Sequence, residues 1–244
     1  MVLNGDLGAG KSTVAELLAA RLGVRRISVG DLYRAMAAER GMTALQLNLH
    51  AELDDKIDHY VDQLQADIAA SGEQVVVDSR LAWHFFTDAV KVHLITEPSV
   101  AARRVLGRPA DTVEGYASAE EARGRLAVRS ESERVRFLTR YGADKTRLRN
   151  YDLICDTTRA TPEEIVDRII AYLDGPPDRV PRPLCHLDPR RIRRPAGPPD
   201  DDPAEPIAVR YAAPGFILVR GGRALAAAIE ADRTLIAAEL VGEA

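Results

Sequence analysis

The stretch that decides the fold reads Gly5-Asp6-Leu7-Gly8-Ala9-Gly10-Lys11-Ser12-Thr13. It fits the spacing Gly-x4-Gly-Lys-Ser/Thr, in which a glycine-rich turn leads directly into a helix. The segment before it, Met1–Asn4, is short and apolar, as expected of a buried strand. The residues after it place apolar side chains at helical spacing, at Val14, Leu17, Leu18 and Leu22. A strand, a glycine loop and a helix in this order predict the first unit of a parallel α/β sheet.

The chemistry of this loop points to phosphate binding. Glycines let the backbone wrap around an anion, so that successive N–H groups and the N-terminus of the following helix face it. Lys11 is then placed to reach the β- and γ-phosphates of ATP, and Ser12 to offer its hydroxyl to Mg²⁺. The residues predicted to contact the nucleotide are Gly5, Asp6, Leu7, Gly8, Ala9, Gly10, Lys11, Ser12 and Thr13. The alternative, a glycine-rich turn with a solvated lysine, does not account for the strand and helix on either side.

Four further segments have the length and composition of strands and alternate with helical patterns. Together with the first they are Met1–Asn4, Arg25–Ser28, Gln74–Asp78, Val90–Thr96 and Tyr151–Asp156. The last helical pattern carries an apolar stripe at Ile165, Ile169, Ile170 and Leu173. Strands that alternate with helices favour an α/β fold, here a parallel five-stranded sheet flanked by helices, of the P-loop NTPase type.

Prolines interrupt these patterns around Gly175-Pro176-Pro177, a composition typical of a stiff linker. We therefore predict an α/β domain at 1–174, a proline-rich linker at 175–183 and a small α+β module at 184–244. In the module the sequence predicts strands at Ile207–Arg210 and Phe216–Val219, a Gly221-Gly222 turn and a helix from about Ala224. Because few core contacts are expected to cross such a linker, a chain that ends at Asp174 is expected to fold alone.

The composition argues against several classes of protein. The 244 residues carry a net charge of −4, so no overall basic field favours nonspecific binding to nucleic acid. The two cysteines, Cys155 and Cys185, form neither a disulfide framework nor a zinc-ligand spacing. No apolar run approaches the roughly 20 residues that span a bilayer. We expect a cytoplasmic protein whose partner is a small-molecule nucleotide, without membrane contact; its oligomeric state does not follow from these patterns.

A second candidate region is the apolar run Val75-Val76-Val77, which ends in Asp78. A carboxylate at the end of such a strand lies beside the phosphate-binding loop and can hold the water shell of Mg²⁺. Asp78 is thus either a Mg²⁺ partner or a group that faces the acceptor, and a helix N-cap after the strand is the alternative. Arg80 lies at the same carboxyl edge, where α/β proteins bind ligands.

A third candidate region is strongly basic. Between residues 123 and 149 there are three acidic residues and nine basic ones, namely Arg123, Arg125, Arg129, Arg134, Arg136, Arg140, Lys145, Arg147 and Arg149. Planar guanidinium groups suit the negative charge that gathers on a phosphoryl group during transfer. The alternative is a solvated helix with pairs such as Arg129–Glu133 at i, i+4. We expect two or three of these residues to bind phosphate and the rest to be solvated.

Taken together, these residues resemble the cytidylate kinase family of nucleoside monophosphate kinases, particularly its compact archaeal-type branch. The resemblance covers about residues 1–173 and rests on five stretches. They are Gly5–Thr13, Ser28-Val29-Gly30-Asp31-Leu32-Tyr33-Arg34, Asp78-Ser79-Arg80-Leu81-Ala82-Trp83, Arg129-Ser130-Glu131-Ser132-Glu133-Arg134 and Asn150-Tyr151-Asp152-Leu153. The resemblance implies transfer of the γ-phosphate of ATP to CMP or dCMP, with Mg²⁺ as cofactor.

The resemblance also implies roles for individual residues. Arg34 and Arg80 would grip the acceptor phosphate, with Asp31 beside it and Asp58 facing the base. The acceptor-side set is Asp31, Arg34, Asp58, Asp78 and Arg80. A short lid would start near Arg103 and Arg104. Arg104, a predicted nucleotide-binding residue, would close over the transferring phosphate with Arg129 and Arg134. The catalytic set is Lys11, Arg129 and Arg134. Asp78-Ser79-Arg80 stands where many family members have Glu-Gly-Arg, which leaves the acceptor open.

The C-terminal module resembles the ParB-like nuclease and sulfiredoxin superfamily in its strand, Gly221-Gly222-Arg223 turn and Ala-rich helix. This resemblance implies a phosphate pocket at the helix N-terminus, with Arg220 and Arg223 as ligands. The turn lacks the Glu or His that the superfamily usually carries, so catalysis by the module is not expected. A structural appendage or a dimerisation element is the alternative.

Three functions are consistent with the sequence. The first is a kinase that acts on CMP or dCMP. The second is a kinase for another small acceptor, such as a modified nucleotide. The third is a nucleotide-sensing switch, in which the loop binds ATP and the C-terminal module contacts a partner or DNA.

Overall fold

The computed structural model describes residues 1–42, 56–107, 116–176, 183–195 and 205–243, with only the backbone for residues 33, 34 and 56–58. Most of the predicted linker at 175–183 therefore lies outside the described residues. The same holds for the side chains of Arg34 and Asp58, and for residues 108–115 of the predicted lid.

Helices and strands alternate through the first part of the chain. The helices are α1 (Lys11–Leu22), α2 (Val29–Glu39), α3 (Lys56–Ala70), α4 (Ala82–Phe85), α5 (Pro98–Leu106), α6 (Ala119–Tyr141), α7 (Pro162–Leu173) and α8 (Gly222–Glu230). The strands are β1 (Val2–Gly5), β2 (Arg25–Ser28), β3 (Val75–Asp78), β4 (Lys91–Ile95), β5 (Leu153–Asp156), β6 (Leu184–Leu187), β7 (Ile192–Arg193), β8 (Ile207–Ala212), β9 (Gly215–Arg220) and β10 (Ile236–Glu243). Among the described helices, none combines the length and apolarity needed to cross a membrane.

The five predicted strands form a parallel sheet in the order β2-β3-β1-β4-β5. On one face, α1 and α7 bury an apolar cluster against the sheet that includes Leu3, Leu18, Leu94, Ile165 and Ile169. The stripe predicted for α7 is therefore its packing face. All five strands end at the same edge, so the glycine loop after β1 lies between the ends of β3 and β4. This arrangement confirms the predicted α/β fold.

The C-terminal strands extend this same sheet. β6 pairs in parallel with β5, with Leu184 opposite Leu153 and Cys185 opposite Ile154. β10 then pairs antiparallel with β6, and the order continues through β8 and β9 to β7. Of these strands the sequence predicted β8 and β9, while β6, β7 and β10 went unnoticed.

The core also crosses the predicted boundary. Ile154 of β5, Cys185 and Leu187 of β6 and Ile236 of β10 belong to one buried apolar cluster. The expectation that few core contacts connect the two parts is therefore wrong. The physical reason is that β5 buries side chains on both faces, so its outer edge needs a neighbouring strand to satisfy its backbone and exclude water. The boundaries at 174 and 184 stay a prediction about how the chain is divided.

Candidate functional site

The loop after β1 has the backbone geometry of a phosphate cradle. Gly8 and Gly10 have φ values of 81° and 78°, which side chains other than glycine rarely adopt. A Cβ on Gly8 would lie 2.8 Å from the Cβ of Ala101, so the loop packs directly on α5. Gly10 begins α1 without a side-chain cap, which leaves the first N–H groups of the helix to an incoming anion.

Lys11 and Asp78 form an ion pair at the centre of this edge. The Lys11 ammonium donates to Oδ1 of Asp78, whose side chain is 2% exposed. Burial lowers the pKa of Lys11, and the charge of Asp78 opposes that effect. The alternative that Asp78 caps the next helix is wrong, because Leu81 occupies the N-cap of α4. The structure thus brings the two strongest candidates of the sequence together.

Arg26, the second residue of β2, is a third charged group that reaches Asp78. Its guanidinium donates to Oδ2 of Asp78 at 3.4 Å, and to the carboxylates of Glu16 at 3.1 Å and Asp31 at 3.2 Å. Its Nε is buried with no hydrogen-bond partner among the described residues. Arg26 thus links the predicted acceptor residue Asp31 to Asp78. The sequence analysis missed it because an arginine in a short strand carries no motif.

Three positively charged side chains gather around Glu133, and we call Arg80, Arg129, Glu133 and Lys145 the Glu133 cluster. Arg80 follows β3, Arg129 and Glu133 lie on α6, and Lys145 lies in the segment after α6. Arg80 donates to Oε1 of Glu133, and Arg129 reaches the same oxygen at 3.3 Å. Lys145 donates to Oε2 at 3.0 Å. Glu133 is buried, so the predicted Arg129–Glu133 pair is not simply a solvated one. One carboxylate therefore holds three cations opposite the loop.

The remaining predicted arginines occupy other positions. Arg134 pairs with Glu131, at 2.7 Å, and lies 3.8 Å from Asp144, so the described contacts do not bring it into the Glu133 cluster. Arg104 donates to the hydroxyl of Thr157 at 3.1 Å and to its carbonyl oxygen at 2.6 Å, in the segment after β5. Arg104 thus lies beside that segment and not over Lys11.

Ser79, one of the two residues at which Asp78-Ser79-Arg80 departs from the pattern that the sequence resembles, is buried beside Arg80. Its hydroxyl donates to Oε1 of Gln65 on α3 at 3.0 Å and accepts from the N–H of Leu81 at 3.3 Å. The departure therefore ties the turn that carries Arg80 to the helix α3. A glycine at this position would have neither bond.

The C-terminal strands also reach this edge. Arg191, which follows β6, donates to Oδ2 of Asp156 at 2.6 Å and to the hydroxyl of Thr158 at 3.1 Å. The side chain of Asp156 is 1% exposed, at the end of β5. Sequence reasoning missed Arg191 and named Glu133 only as the partner of Arg129 in a solvated pair. Lys145 was one of the nine basic candidates between residues 123 and 149, without a signal that distinguished it from the others.

Comparisons with known proteins agree with this geometry. The family described as "AAA domain" matches residues 1–134. The cytidylate kinase of Methanobrevibacter smithii is 34% identical over 173 residues, which cover 71% of this chain and 97% of that protein. The cytidylate kinase of Haloquadratum walsbyi is 37% identical over 173 residues, covering 71% and 88%. The shikimate kinase structure from Bacteroides thetaiotaomicron superposes with a TM-score of 0.51 at 19% identity, covering 71% of this chain and 97% of that one, which supports the fold alone.

Proposed function

The chain belongs to the cytidylate kinase family, and on that premise we propose that it transfers the γ-phosphate of ATP to a nucleoside monophosphate, with CMP or dCMP as acceptor. The observation that carries the proposal is the meeting of the Lys11–Asp78 pair with the Glu133 cluster at one edge of the sheet. A phosphate donor and a phosphate acceptor both need cations, and this edge offers them from two sides.

On the donor side, the loop N–H groups and Lys11 bind the β- and γ-phosphates. Lys11 is held in place by Asp78 until the nucleotide arrives, and then exchanges that carboxylate for phosphate oxygens. Mg²⁺ takes one or two protein oxygens and fills its other positions with water and phosphate oxygens. The Ser12 hydroxyl and the Asp78 carboxylate fit that role. Both lie beside the loop, and Asp78 already accepts hydrogen bonds from the positively charged side chains of Lys11 and Arg26. When bound, the metal would neutralise charge on the phosphates.

On the acceptor side, we assign the acceptor phosphate to Arg80, with Arg34 and Asp31 beside it and Asp58 toward the base. Arg129 supplies positive charge over the transferred group, whereas Arg134 would have to leave its pair with Glu131 to do so. Arg104 fixes the segment after β5 on the donor side. No separate general base is required, since alignment and neutralisation of charge account for most of the rate in phosphoryl transfer.

The test is a coupled assay of ADP release with CMP, dCMP, UMP, AMP and GMP as acceptors. We expect CMP or dCMP to give the highest kcat/KM. Lys11→Ala should abolish turnover and leave the far-UV circular dichroism unchanged, because Lys11 contacts charge and not the apolar core. Near-normal turnover by that variant would overturn the kinase assignment. If ADP is released only with a modified nucleotide, that nucleotide and not CMP or dCMP is the acceptor. If the protein binds ATP without turnover, a nucleotide-sensing switch is favoured.

A further inference from the structure

Lys145 is an unusually confined cation for a residue outside any motif. Its side chain is 12% exposed, and Oε2 of Glu133 accepts one of its N–H groups at 3.0 Å. A buried ammonium is costly unless it is paired, and Glu133 is also contacted by Arg80 and Arg129. Lys145 thus shares its carboxylate with Arg80 and Arg129, two cations that the proposed function assigns to phosphate.

The backbone around Lys145 is fixed by local hydrogen bonds. The Lys145 carbonyl oxygen accepts from the hydroxyl of Tyr151 at 2.8 Å. In the same turn, the Asp144 carbonyl oxygen accepts from Nδ2 of Asn150 at 2.8 Å, and its carboxylate accepts from the N–H of Thr146 at 3.0 Å. The side chain therefore projects from a rigid turn, so little ordering is needed before it can act.

Hydrogen bonds connect Lys145 to the start of the phosphate-binding loop, because Tyr151, whose hydroxyl donates to the Lys145 carbonyl oxygen, also accepts from Nδ2 of Asn4 on β1. The carboxylate of Asp6, the second residue of the loop, raises the pKa of Lys145, while Arg80 lowers it. Arg80 also lowers the pKa of Lys11. Arg80 thus lies near both Lys11 and Lys145, so the two ammonium groups belong to the same edge of the sheet.

We propose that Lys145 is a further phosphate-binding cation of this site, which contacts the phosphoryl group during its transfer from ATP to the acceptor. The proposal rests on the proposed function and extends it to a residue of no motif. The ammonium keeps one N–H on Glu133 and turns another toward a phosphate oxygen. No bond to Lys145 forms or breaks; its charge stabilises the negative oxygens of the group in transit.

The first test compares Lys145→Met with Arg147→Met. Arg147 follows two residues later, is about half exposed and lies 3.7 Å from Asp144. Arg147→Met therefore removes a positive charge from the same segment without touching the Glu133 cluster, and it serves as the matched control. We expect Lys145→Met to lower kcat about 100-fold, as removal of one transition-state donor does, with the KM values for ATP and CMP changed less than about threefold. Arg147→Met should keep kcat within about twofold of the wild type. A merely supporting role for Lys145 would misplace Arg80 and raise the KM for CMP instead.

The second test uses pH and Lys145→Arg. Burial lowers the pKa of Lys145 to about 8. The charges of Arg80, after β3, and Arg129, on α6, lower it as well, while the carboxylates of Asp6 in the loop and Glu131 on α6 raise it. Glu133 on α6 accepts the hydrogen bond of the ammonium. The protonated form is the active one, so kcat/KM of the wild type should fall as the pH rises through about 8. An arginine keeps its charge, so the fall in Lys145→Arg should move to higher pH.

The outcomes separate the hypotheses. If Lys145→Met keeps kcat within about threefold of the wild type, or if the two pH profiles coincide, the proposal is overturned. Should Lys145→Met fail to fold, the pH profile of Lys145→Arg decides alone. If the wild-type protein releases no ADP with any of the acceptors, the failure belongs to the proposed function and not to Lys145.

Discussion

Arg191, which follows β6, donates a 2.6 Å hydrogen bond to the carboxylate of Asp156 at the end of β5. A residue that follows β6 thus fixes the last residue of β5, which is separated by β4 from the strand that leads into the glycine loop. Arg159, in the segment after β5, adds a second connection between the two parts of the chain, because it pairs with Asp188 at 3.4 Å. The predicted accessory module is therefore built into the edge of the sheet that carries the site.

Replacement of Arg191 tests this connection. Arg191→Ala leaves the carboxylate of Asp156 buried without its main counter-charge, and we expect a loss of about 2 to 3 kcal/mol in the free energy of unfolding. Arg190→Ala is the control, because Arg190 pairs with the exposed Asp232 and should cost less than about 1 kcal/mol. Urea denaturation of both variants measures the difference, and equal losses would contradict the assignment.

Removal of the C-terminal strands should be costly, contrary to the expectation from the sequence. A chain that ends at Asp174 exposes the outer edge of β5 and uncovers Ile154. We expect a loss of at least about 3 kcal/mol, which lowers the midpoint of thermal unfolding by roughly 10 °C, or insoluble protein. Thermal unfolding and ADP release of residues 1–174 are measured beside the full chain. If the shortened chain unfolds at the same temperature as the full chain, residues 1–174 are an independent domain, as the sequence predicted.

Arg80 should affect the acceptor more than the donor. Its guanidinium lies in the Glu133 cluster, while the loop and Lys11 hold the donor side. We expect Arg80→Ala to raise the KM for CMP at least about tenfold and the KM for ATP less than about threefold. Arg25→Ala, which removes an exposed pair with Glu73, is the control and should leave both KM values unchanged. Equal effects of Arg80→Ala on the two substrates would show that Arg80 is misplaced.

Gly8 offers a test of the loop conformation. Gly8→Ala combines a positive φ with a Cβ that would lie 2.8 Å from the Cβ of Ala101, and we expect ATP binding to weaken about tenfold or more. Gly23→Ala, which has a φ of 67° but no atom within 4 Å of its new Cβ, is the control. It should cost about 1 kcal/mol of stability and leave ATP affinity unchanged. Isothermal titration calorimetry measures the ATP affinity of both variants. Equal affinities would contradict the requirement for glycine at position 8.

The sequence by itself determined the five parallel strands, the phosphate-binding loop and the Lys11–Asp78 edge. These features depend on local signals, because strand length, glycine spacing and helical periodicity act over a few residues. A carboxylate placed directly after a buried strand can only lie at the carboxyl edge of a parallel sheet.

Only the tertiary structure decided the Glu133 cluster, the place of Lys145 and the union of the C-terminal strands with the sheet. Glu133 and Arg80 are 53 residues apart, and Arg191 and Asp156 are 35 apart. Contacts at such separations depend on which strand covers the edge of β5 and on how α6 crosses the site. The strand Leu184–Leu187 has only four residues, so its local pattern predicts neither its partner strand nor its direction. Pairing with β5 and packing beside Ile154 determine both.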